Sequence, residues 1–160
     1  QALRISSLDW DANNNYGWFL CQHKRYAEGI QHFMTAVKNP LYKTPDKSYV
    51  NAGMCARESG DEAAATQYFL RALTTQPSQP QALFQLADMA FRRGESAAAK
   101  QYLDRLSRTG SALNAEALWL ALRVERRLGD REAEASFGLQ LRRNFPNSRE
   151  TQALLNRQYE

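Results

Sequence analysis

Few residues of this chain have the types and spacing that chemistry requires. His23 and His32 are nine residues apart, and neither stands in a metal-ligand motif with a cysteine or an acidic residue. The acidic pairs that follow turn glycines, such as Asp61–Glu62, are expected in the first turn of a helix, where negative charge complements the helix dipole. No phosphate-binding glycine loop, HExxH or GxSxG motif occurs. The sequence therefore predicts no enzyme, no metal site and no cofactor.

The two cysteines leave one alternative open. Cys21 and Cys55 are 34 residues apart, and neither belongs to a CxxC pair. An oxidising compartment would allow a disulfide between them. Free cysteines are more often small buried apolar residues, so we expect two buried thiols.

Composition predicts a folded chain with a solvated surface. The 160 residues are 43% hydrophobic and 24% charged, with a net charge of +4. Acidic and basic residues are interspersed, which argues against a nucleic-acid-binding face. No apolar run approaches the ~18 residues that a membrane-spanning helix needs.

The elements that would position any site are set by an internal repeat. A small residue recurs as Gly17, Gly53 and Ala87, in steps of 36 and 34 residues. The lengthened loop NPLYKTPDKS accounts for the longer step. The same register aligns Gly29 with Ala65 and Ala99, aligns Phe33 with Phe69 and Leu103, and places turn glycines at positions 60, 94 and 129.

This pattern resembles the tetratricopeptide repeat (TPR), a helix-turn-helix unit of about 34 residues. The stretch ARESGDEAAATQYFLRALTTQP carries the turn glycine, the alanine–aromatic–alanine series and the closing Pro77. The resemblance implies an all-α, right-handed superhelix (α-solenoid) of about nine helices. Gly17 is then the small residue where two helices cross, so NNNYGWFL is predicted to be a helix with its asparagines at the N-cap. Asp46 or Ser48 is expected to cap a later helix.

We interpret the chain as a single TPR domain made of successive repeats. Ala2 lies 34 residues before Ala36, so we expect residues 1–8 to be the end of a preceding repeat and the chain to be a fragment of a longer protein. Glu134 and Gly138 stand where an alanine and an aromatic residue are expected, so the last repeat is degenerate. The predicted segments are repeats at 10–43, 46–79 and 80–113, a degenerate repeat at 115–147, and a capping helix at 148–160.

Three local segments narrow the family. They are NNNYGWFL followed by KRYAEGIQHF, the loop NPLYKTPDKSYVNAGMC, and SFGLQLRRNFPNSRETQ near the end. In this order they resemble the type IV pilus biogenesis TPR lipoproteins (pilotins) of the PilF/PilW type. The resemblance covers the whole chain, as roughly the C-terminal two-thirds of such a protein.

The resemblance implies a non-catalytic scaffold for protein–protein interaction. Such proteins assist outer-membrane localisation and multimerisation of the secretin, the channel of the pilus, so the implied partner is the secretin or another pilus assembly component. The implied location is the periplasmic face of the outer membrane, through a lipid anchor expected in a missing N-terminal part, because these residues contain no signal peptide or lipobox. The alternative is a generic TPR adaptor in another periplasmic or cytoplasmic complex.

TPR proteins bind partners with the concave face that the first helix of each repeat lines. Counting from the small residue of each repeat, we predict a partner-binding groove rich in aromatic, methionine and arginine side chains, the types enriched in interface hot spots. The predicted groove residues are Asn14, Trp18, Gln22, Lys47, Val50, Met54, Arg57, Phe84, Asp88, Phe91, Arg92, Trp119, Arg123 and Arg126.

Two alternatives concern this groove. Each aromatic residue could pack in the core, but we expect Trp18, Phe84, Phe91 and Trp119 together to leave apolar surface exposed. One helical face carries three arginines, Arg123, Arg126 and Arg127. By default this face is solvated, and the alternative is that it binds an acidic partner segment. A chaperone-type carboxylate clamp is rejected because its other positions are not basic.

Overall fold

The computed structural model describes residues 10–160, so the predicted end of a preceding repeat at 1–8 lies outside the described residues. The described part contains nine α-helices and no strand, which confirms the all-α prediction there. They are α1 (Trp10–Gln22), α2 (Tyr26–Val37), α3 (Pro45–Glu58), α4 (Glu62–Thr75), α5 (Pro80–Arg92), α6 (Ser96–Ser107), α7 (Ala115–Leu128), α8 (Arg131–Asn144) and α9 (Arg149–Leu155). Contacts divide the chain into two compact units, residues 1–82 and 83–160, with the boundary inside α5.

In the first unit, consecutive helices from α1 to α4 pack against one another. The predicted helix at NNNYGWFL is confirmed as part of α1, and Gly17 lies where α1 meets α2. A Cβ on Gly17 would lie 2.6 Å from the Phe33 ring, and a Cβ on Gly53 would lie 2.6 Å from the Phe69 ring. Both phenylalanines are fully buried. The absence of a side chain at the two glycines therefore makes room for the rings, and each helix pair packs closely.

The core of the first unit also contains a disulfide. Cys21 of α1 and Cys55 of α3 are bonded, with their Cα atoms 5.8 Å apart. The prediction of two buried thiols is therefore wrong, although both residues are buried as expected. The error arose because sequence spacing alone does not say which faces of two helices meet. The bond links the first helices of two successive pairs and closes a loop of 34 residues.

The predicted helix caps of the first unit are also wrong. Helix α1 begins at Trp10, so the asparagines lie inside the helix and not at its N-cap. The N-cap of α3 is Thr44, with Pro45 in the first helical turn and no side-chain cap bond. Asp46 instead accepts a hydrogen bond from Gln79 Nε2 at 3.0 Å. These polar side chains bond to other segments of the unit, which local sequence rules do not reveal.

In the second unit, α7 packs against α6 and α8, and α9 packs against both α7 and α8. In the degenerate repeat, the large and the small residue of the helix pair have exchanged helices. Leu122 takes the small-residue position of α7, and Gly138 takes the large-residue position of α8, with a Cβ on Gly138 only 3.5 Å from Leu122 Cδ1. The acidic residues after the turn lie at helix starts as predicted. Glu62 and Glu132 are in the first turns, whereas Asp61 and Asp130 are the N-caps and accept hydrogen bonds from the backbone at 3.0 Å.

The C-terminal helix is shorter than predicted. Ser148 caps α9 by accepting a hydrogen bond from Thr151 N at 3.1 Å, but the helix ends at Leu155 and not near residue 159. Arg157 has a φ of 56°, a left-handed conformation that turns the chain. The turn brings Tyr159 against Trp119, with ring centroids 5.8 Å apart.

Candidate partner-binding site

The predicted groove residues of the first unit are mostly committed to internal contacts. Asn14 Nδ2 donates to the Tyr42 hydroxyl at 2.6 Å, and the buried Ser48 hydroxyl donates to Asn14 Oδ1 at 2.9 Å. Asn14 therefore joins α1, the lengthened loop and α3. Trp18 packs edge-on against Phe33, at 6.2 Å between ring centroids, beside the buried disulfide cluster.

The other predicted positions of this unit differ in exposure. Val50 is 1% exposed, so the expectation that it lines a surface is wrong. Met54 and Arg57 are half-buried, whereas Gln22 and Lys47 are exposed. Val50 therefore belongs to the core, and the exposed predicted positions of this unit, Gln22 and Lys47, are polar.

In the second unit, two predicted groove aromatics are also buried. Phe91 is 4% exposed and Trp119 is 8% exposed, while Phe84 is half-buried. The expectation that Trp18, Phe84, Phe91 and Trp119 together form exposed apolar surface is wrong for these two rings. Two arginines of α7, Arg123 and Arg127, lie over these rings, an arrangement that helical counting does not reveal.

We call these side chains the arginine–aromatic cluster: Phe91, Trp119 and Tyr159 with Arg123, Arg126 and Arg127. The Arg123 guanidinium carbon lies 5.0 Å from the Phe91 ring centroid and 5.5 Å from that of Trp119. Arg127 lies 3.8 Å over Phe91, and Arg126 lies 3.9 Å over Tyr159. Each guanidinium is thus within the distance at which an aromatic quadrupole attracts a cation. The cluster has an apolar floor of rings and a cationic surface.

The arginines around the cluster fall into two groups. Arg92 Nε pairs with Asp88 at 3.1 Å, and Arg126 Nη1 pairs with Glu134 at 2.8 Å. Arg127 Nη1 donates to the Phe91 carbonyl at 3.1 Å. Arg123 and Arg127 form no ion pair with any residue in the range 10–160. Two of the positive charges are therefore paired by carboxylates, and two are not.

The environment of Arg123 is electrostatically unfavourable for its charge. Its Nε atom is buried and has no hydrogen-bond acceptor within the described chain. Burial lowers the pKa of Arg123 below its ordinary value, and the charges of Arg92 and Arg127 lower it further, while Asp88 opposes them. An anion near Arg123 would relieve this repulsion.

A cleft of about 300 Å³ opens beside the cluster. Its lining is Phe91, Arg123, Arg126, Arg127, Tyr159 and Glu160. The size is at the lower end of the range for ligand pockets, roughly 300–1,000 Å³. Sequence reasoning named Phe91, Arg123 and Arg126 for the groove but missed Tyr159. No residue pattern marks the left-handed turn at Arg157 that follows α9.

The described chain has no arrangement that suggests metal chemistry. Within residues 10–160, no three His, Cys, Asp or Glu side chains are grouped so as to hold a metal ion. His23 is exposed and His32 is half-buried, where His32 contacts Asn13 and the edge of Tyr16. None of the helices in this range is long and apolar enough to span a membrane.

Comparison with known proteins identifies the repeats and their relatives. Tetratricopeptide-repeat families match residues 46–79 and 84–149. The type IV pilus assembly protein PilF of Pseudomonas aeruginosa is 34% identical over 152 residues, which are 95% of this chain and 60% of PilF. The photosystem I assembly protein Ycf3 of Cyanophora paradoxa is 36% identical over 76 residues, 46% of this chain and 43% of Ycf3.

Two solved structures of type IV pilus proteins are also similar to this chain. The crystal structure of PilW, described as a widely conserved type IV pilus biogenesis factor, matches with a TM-score of 0.78 at 35% identity, covering 91% of this chain and 67% of that one. A structure of Pseudomonas aeruginosa PilF matches with a TM-score of 0.80 at 33% identity, covering 92% and 66%. The chain thus spans about 60% of the length of the PilF sequence it matches. The predicted fold class and family are confirmed: this chain belongs to the tetratricopeptide-repeat proteins of the PilF/PilW type.

Proposed function

We propose that this protein is a non-catalytic scaffold for type IV pilus biogenesis, which assists outer-membrane localisation and multimerisation of the secretin. The observation that carries the proposal is the similarity to a type IV pilus assembly protein over 95% of the chain. TPR helix pairs offer an extended surface to protein partners. In this proposal the protein acts at the periplasmic face of the outer membrane, held by a lipid anchor N-terminal to these residues.

The disulfide supports a location outside the cytosol. The Cys21–Cys55 bond is buried in the core of the first unit. Structural disulfides persist in oxidising compartments such as the bacterial periplasm and are rare where thiols are kept reduced. A periplasmic protein can therefore retain this bond.

The partner-binding surface of the proposal is the arginine–aromatic cluster. Arginine and aromatic side chains are the types that dominate interface hot spots. In the first unit, the exposed predicted groove residues Lys47 and Gln22 would offer a partner polar contacts of their own.

The test is deletion of the gene for the full-length protein in the source cells. Outer-membrane fractions are then probed for denaturation-resistant secretin multimers, with total secretin monomer measured beside them. We expect the multimers to be lost while the monomer remains, and a plasmid copy of the gene to restore them. Normal multimers in the outer membrane of the deletion strain would refute the proposal.

A generic TPR adaptor in another complex is the second candidate. The similarity to a photosystem I assembly protein over 46% of the chain shows that part of this repeat pattern also occurs in assembly factors of other systems. The N-terminus of the full-length protein separates the candidates. A signal sequence ending in a lipobox supports the secretin proposal, and a full-length protein that begins without one supports the adaptor.

A further inference from the structure

We infer that the arginine–aromatic cluster binds an extended acidic segment of a partner protein, with aspartate or glutamate side chains at positions i and i+2. The inference rests on the proposed use of this cluster as a partner-binding surface, and it specifies the chemistry of the partner. All residues of the cluster belong to the second unit.

Uncompensated positive charge is the first reason. Arg92 and Arg126 already pair with Asp88 and Glu134, so these two charges are balanced within the unit. Among residues 10–160 no carboxylate forms an ion pair with Arg123 or Arg127, although Asp88 attracts Arg123 electrostatically, and both arginines line the cleft. A carboxylate in the cleft would supply the missing partner through charge-assisted, bidentate hydrogen bonds.

The second reason is that the two guanidinium groups are held in place before a ligand arrives. Arg123 lies over Phe91 and Trp119, and Arg127 also lies over the Phe91 ring and donates to the Phe91 carbonyl. Stacking uses the faces of a guanidinium and leaves N–H groups at its edge for an acceptor. Less side-chain freedom is then lost on binding. Because the Arg123 Nε is buried, part of the dehydration of this side chain has also already occurred.

Spacing favours an extended ligand. Arg123 and Arg127 are one turn apart on α7, which separates them by about 6 Å along the helix axis. Side chains at i and i+2 of an extended chain point the same way and lie about 6.7 Å apart. A helical ligand has side chains about 6 Å apart at i and i+4, but a helix is roughly 10 Å wide. A cleft of about 300 Å³ cannot enclose a whole helix, and the narrower backbone of an extended segment can approach both arginines more closely.

Glu160 places a negative charge beside the proposed binding site. This exposed residue lines the same cleft and forms no ion pair with another described residue. Its carboxylate would repel an acidic ligand through the Coulomb interaction of like charges. We therefore expect Glu160→Gln to raise the affinity for an acidic peptide about twofold to fivefold, and more at low salt than at high salt.

The test uses four synthetic peptides, of which the first three are capped at both ends, and isothermal titration calorimetry on the whole chain. In the first peptide, aspartate alternates with serine; in the second, asparagine replaces every aspartate. The third is an alanine-rich helical peptide with glutamate at every fourth position. The fourth has only its free C-terminal carboxylate. We expect binding of the first peptide, at least tenfold weaker binding of the other three, and a loss of affinity as salt rises.

Substitutions in the protein test whether Arg123 and Arg127 bind the peptide. Arg123→Gln with Arg127→Gln should weaken the alternating acidic peptide by at least about tenfold, because charge-assisted hydrogen bonds to both guanidinium groups are lost. Arg123→Lys with Arg127→Lys should weaken it as well, because lysine keeps the charge but lacks the planar fork. The matched control is Arg142→Gln with Arg143→Gln, which removes two exposed arginines of α8 and should leave affinity within about twofold. Circular dichroism establishes that each variant is folded.

Three results would overturn the inference. Equal binding of the asparagine peptide would remove the need for carboxylates. Equal weakening by the control pair would mean that net charge alone attracts the peptide. Tighter binding of the helical or C-terminal peptide than of the alternating acidic peptide would refute the extended acidic segment. The secretin multimer assay is read separately, so loss of multimers with no peptide binding refutes this inference alone, and peptide binding with normal multimers refutes the secretin proposal alone.

Discussion

Alanine substitution at two helical glycines should change stability in opposite directions. Helices α3 and α4 approach closely at Gly53, whereas Gly138 of α8 has more space around it. In Gly53→Ala, the new Cβ would lie 2.6 Å from Phe69 Cε1 and 2.8 Å from Cδ1. Phe69 is fully buried, so its ring has no free space to move into. In Gly138→Ala, the nearest atoms belong to Leu122 and Leu154 at 3.5 Å, which is ordinary van der Waals contact.

The magnitudes follow from two opposing effects. Alanine is favoured over glycine in a helix by about 0.8–1 kcal/mol. Overpacking a dense core costs about 1–3 kcal/mol, and a 2.6 Å contact belongs in the upper half of that range. We therefore expect Gly53→Ala to lower the free energy of unfolding by about 1–2 kcal/mol and Gly138→Ala to raise it by up to about 1 kcal/mol. For a chain of this length, 1 kcal/mol changes Tm by about 2–4 °C.

Thermal and urea unfolding followed by circular dichroism measure both effects, and a double mutant tests their cause. Phe69→Leu shortens the opposing side chain, so Gly53→Ala should cost less in that background. The chain itself carries this combination, since Ala87 and Leu103 have the same spacing as Gly53 and Phe69. We expect a coupling free energy of about 1 kcal/mol or more in favour of the double mutant. If Gly53→Ala stabilises the chain as Gly138→Ala does, or if the double mutant is additive, the packing argument is wrong.

Three further predictions concern the bonds that hold the fold. Reducing the Cys21–Cys55 disulfide, or replacing both cysteines by alanine, should lower stability by about 3–4 kcal/mol, the chain-entropy expectation for a loop of 34 residues; reductant should shift Tm of the natural chain and leave that of the double variant unchanged. Asp130→Ala should cost about 1 kcal/mol in urea unfolding because the Ala133 N–H loses its acceptor, while Asp130→Asn should cost much less; equal losses would contradict the capping role. Lys100→Met should destabilise the chain by about 1–2 kcal/mol at neutral pH, because Glu125 is 6% exposed and loses its partner. The hydrogen bond with Glu125 raises the pKa of Lys100 above 10.5, so the contribution of this pair is present below pH 10.5 and is lost as pH rises through the higher folded value. The difference in unfolding free energy between the natural chain and Lys100→Met should therefore be smaller at pH 11 than at pH 8, and a constant difference would refute the pairing.

Much of the fold could be predicted from the sequence because the repeat requires particular volumes at particular positions. Gly17 and Gly53 stand opposite phenylalanines, and this exchange of volume is visible in the residue types alone. Acidic residues after the turn glycines identify helix starts for an equally local reason, since an N-cap bond spans only three residues. The family resemblance added the fold and a functional proposal before any contact was known.

Long-range polar contacts could not be predicted in this way. The asparagine at position 14 satisfies the rule for an N-cap, but its side chain bonds to Tyr42 and Ser48, 28 and 34 residues away. Such bonds depend on which helix faces meet, which a residue pattern does not specify. The disulfide was missed for the same reason, since 34 residues of spacing fit both a bonded pair and two separate thiols.

The candidate site shows the same division between sequence and tertiary structure. Residue spacing alone places the arginines at 123, 126 and 127 on one face of a helix, because the helical period requires it. Tertiary contacts are needed to show that Phe91 and Trp119 are buried beneath Arg123 and Arg127 and that Tyr159 stacks on Trp119. The helical period relates residues within one helix, whereas a cleft is formed by residues of several segments, and their juxtaposition depends on the packing of the whole unit.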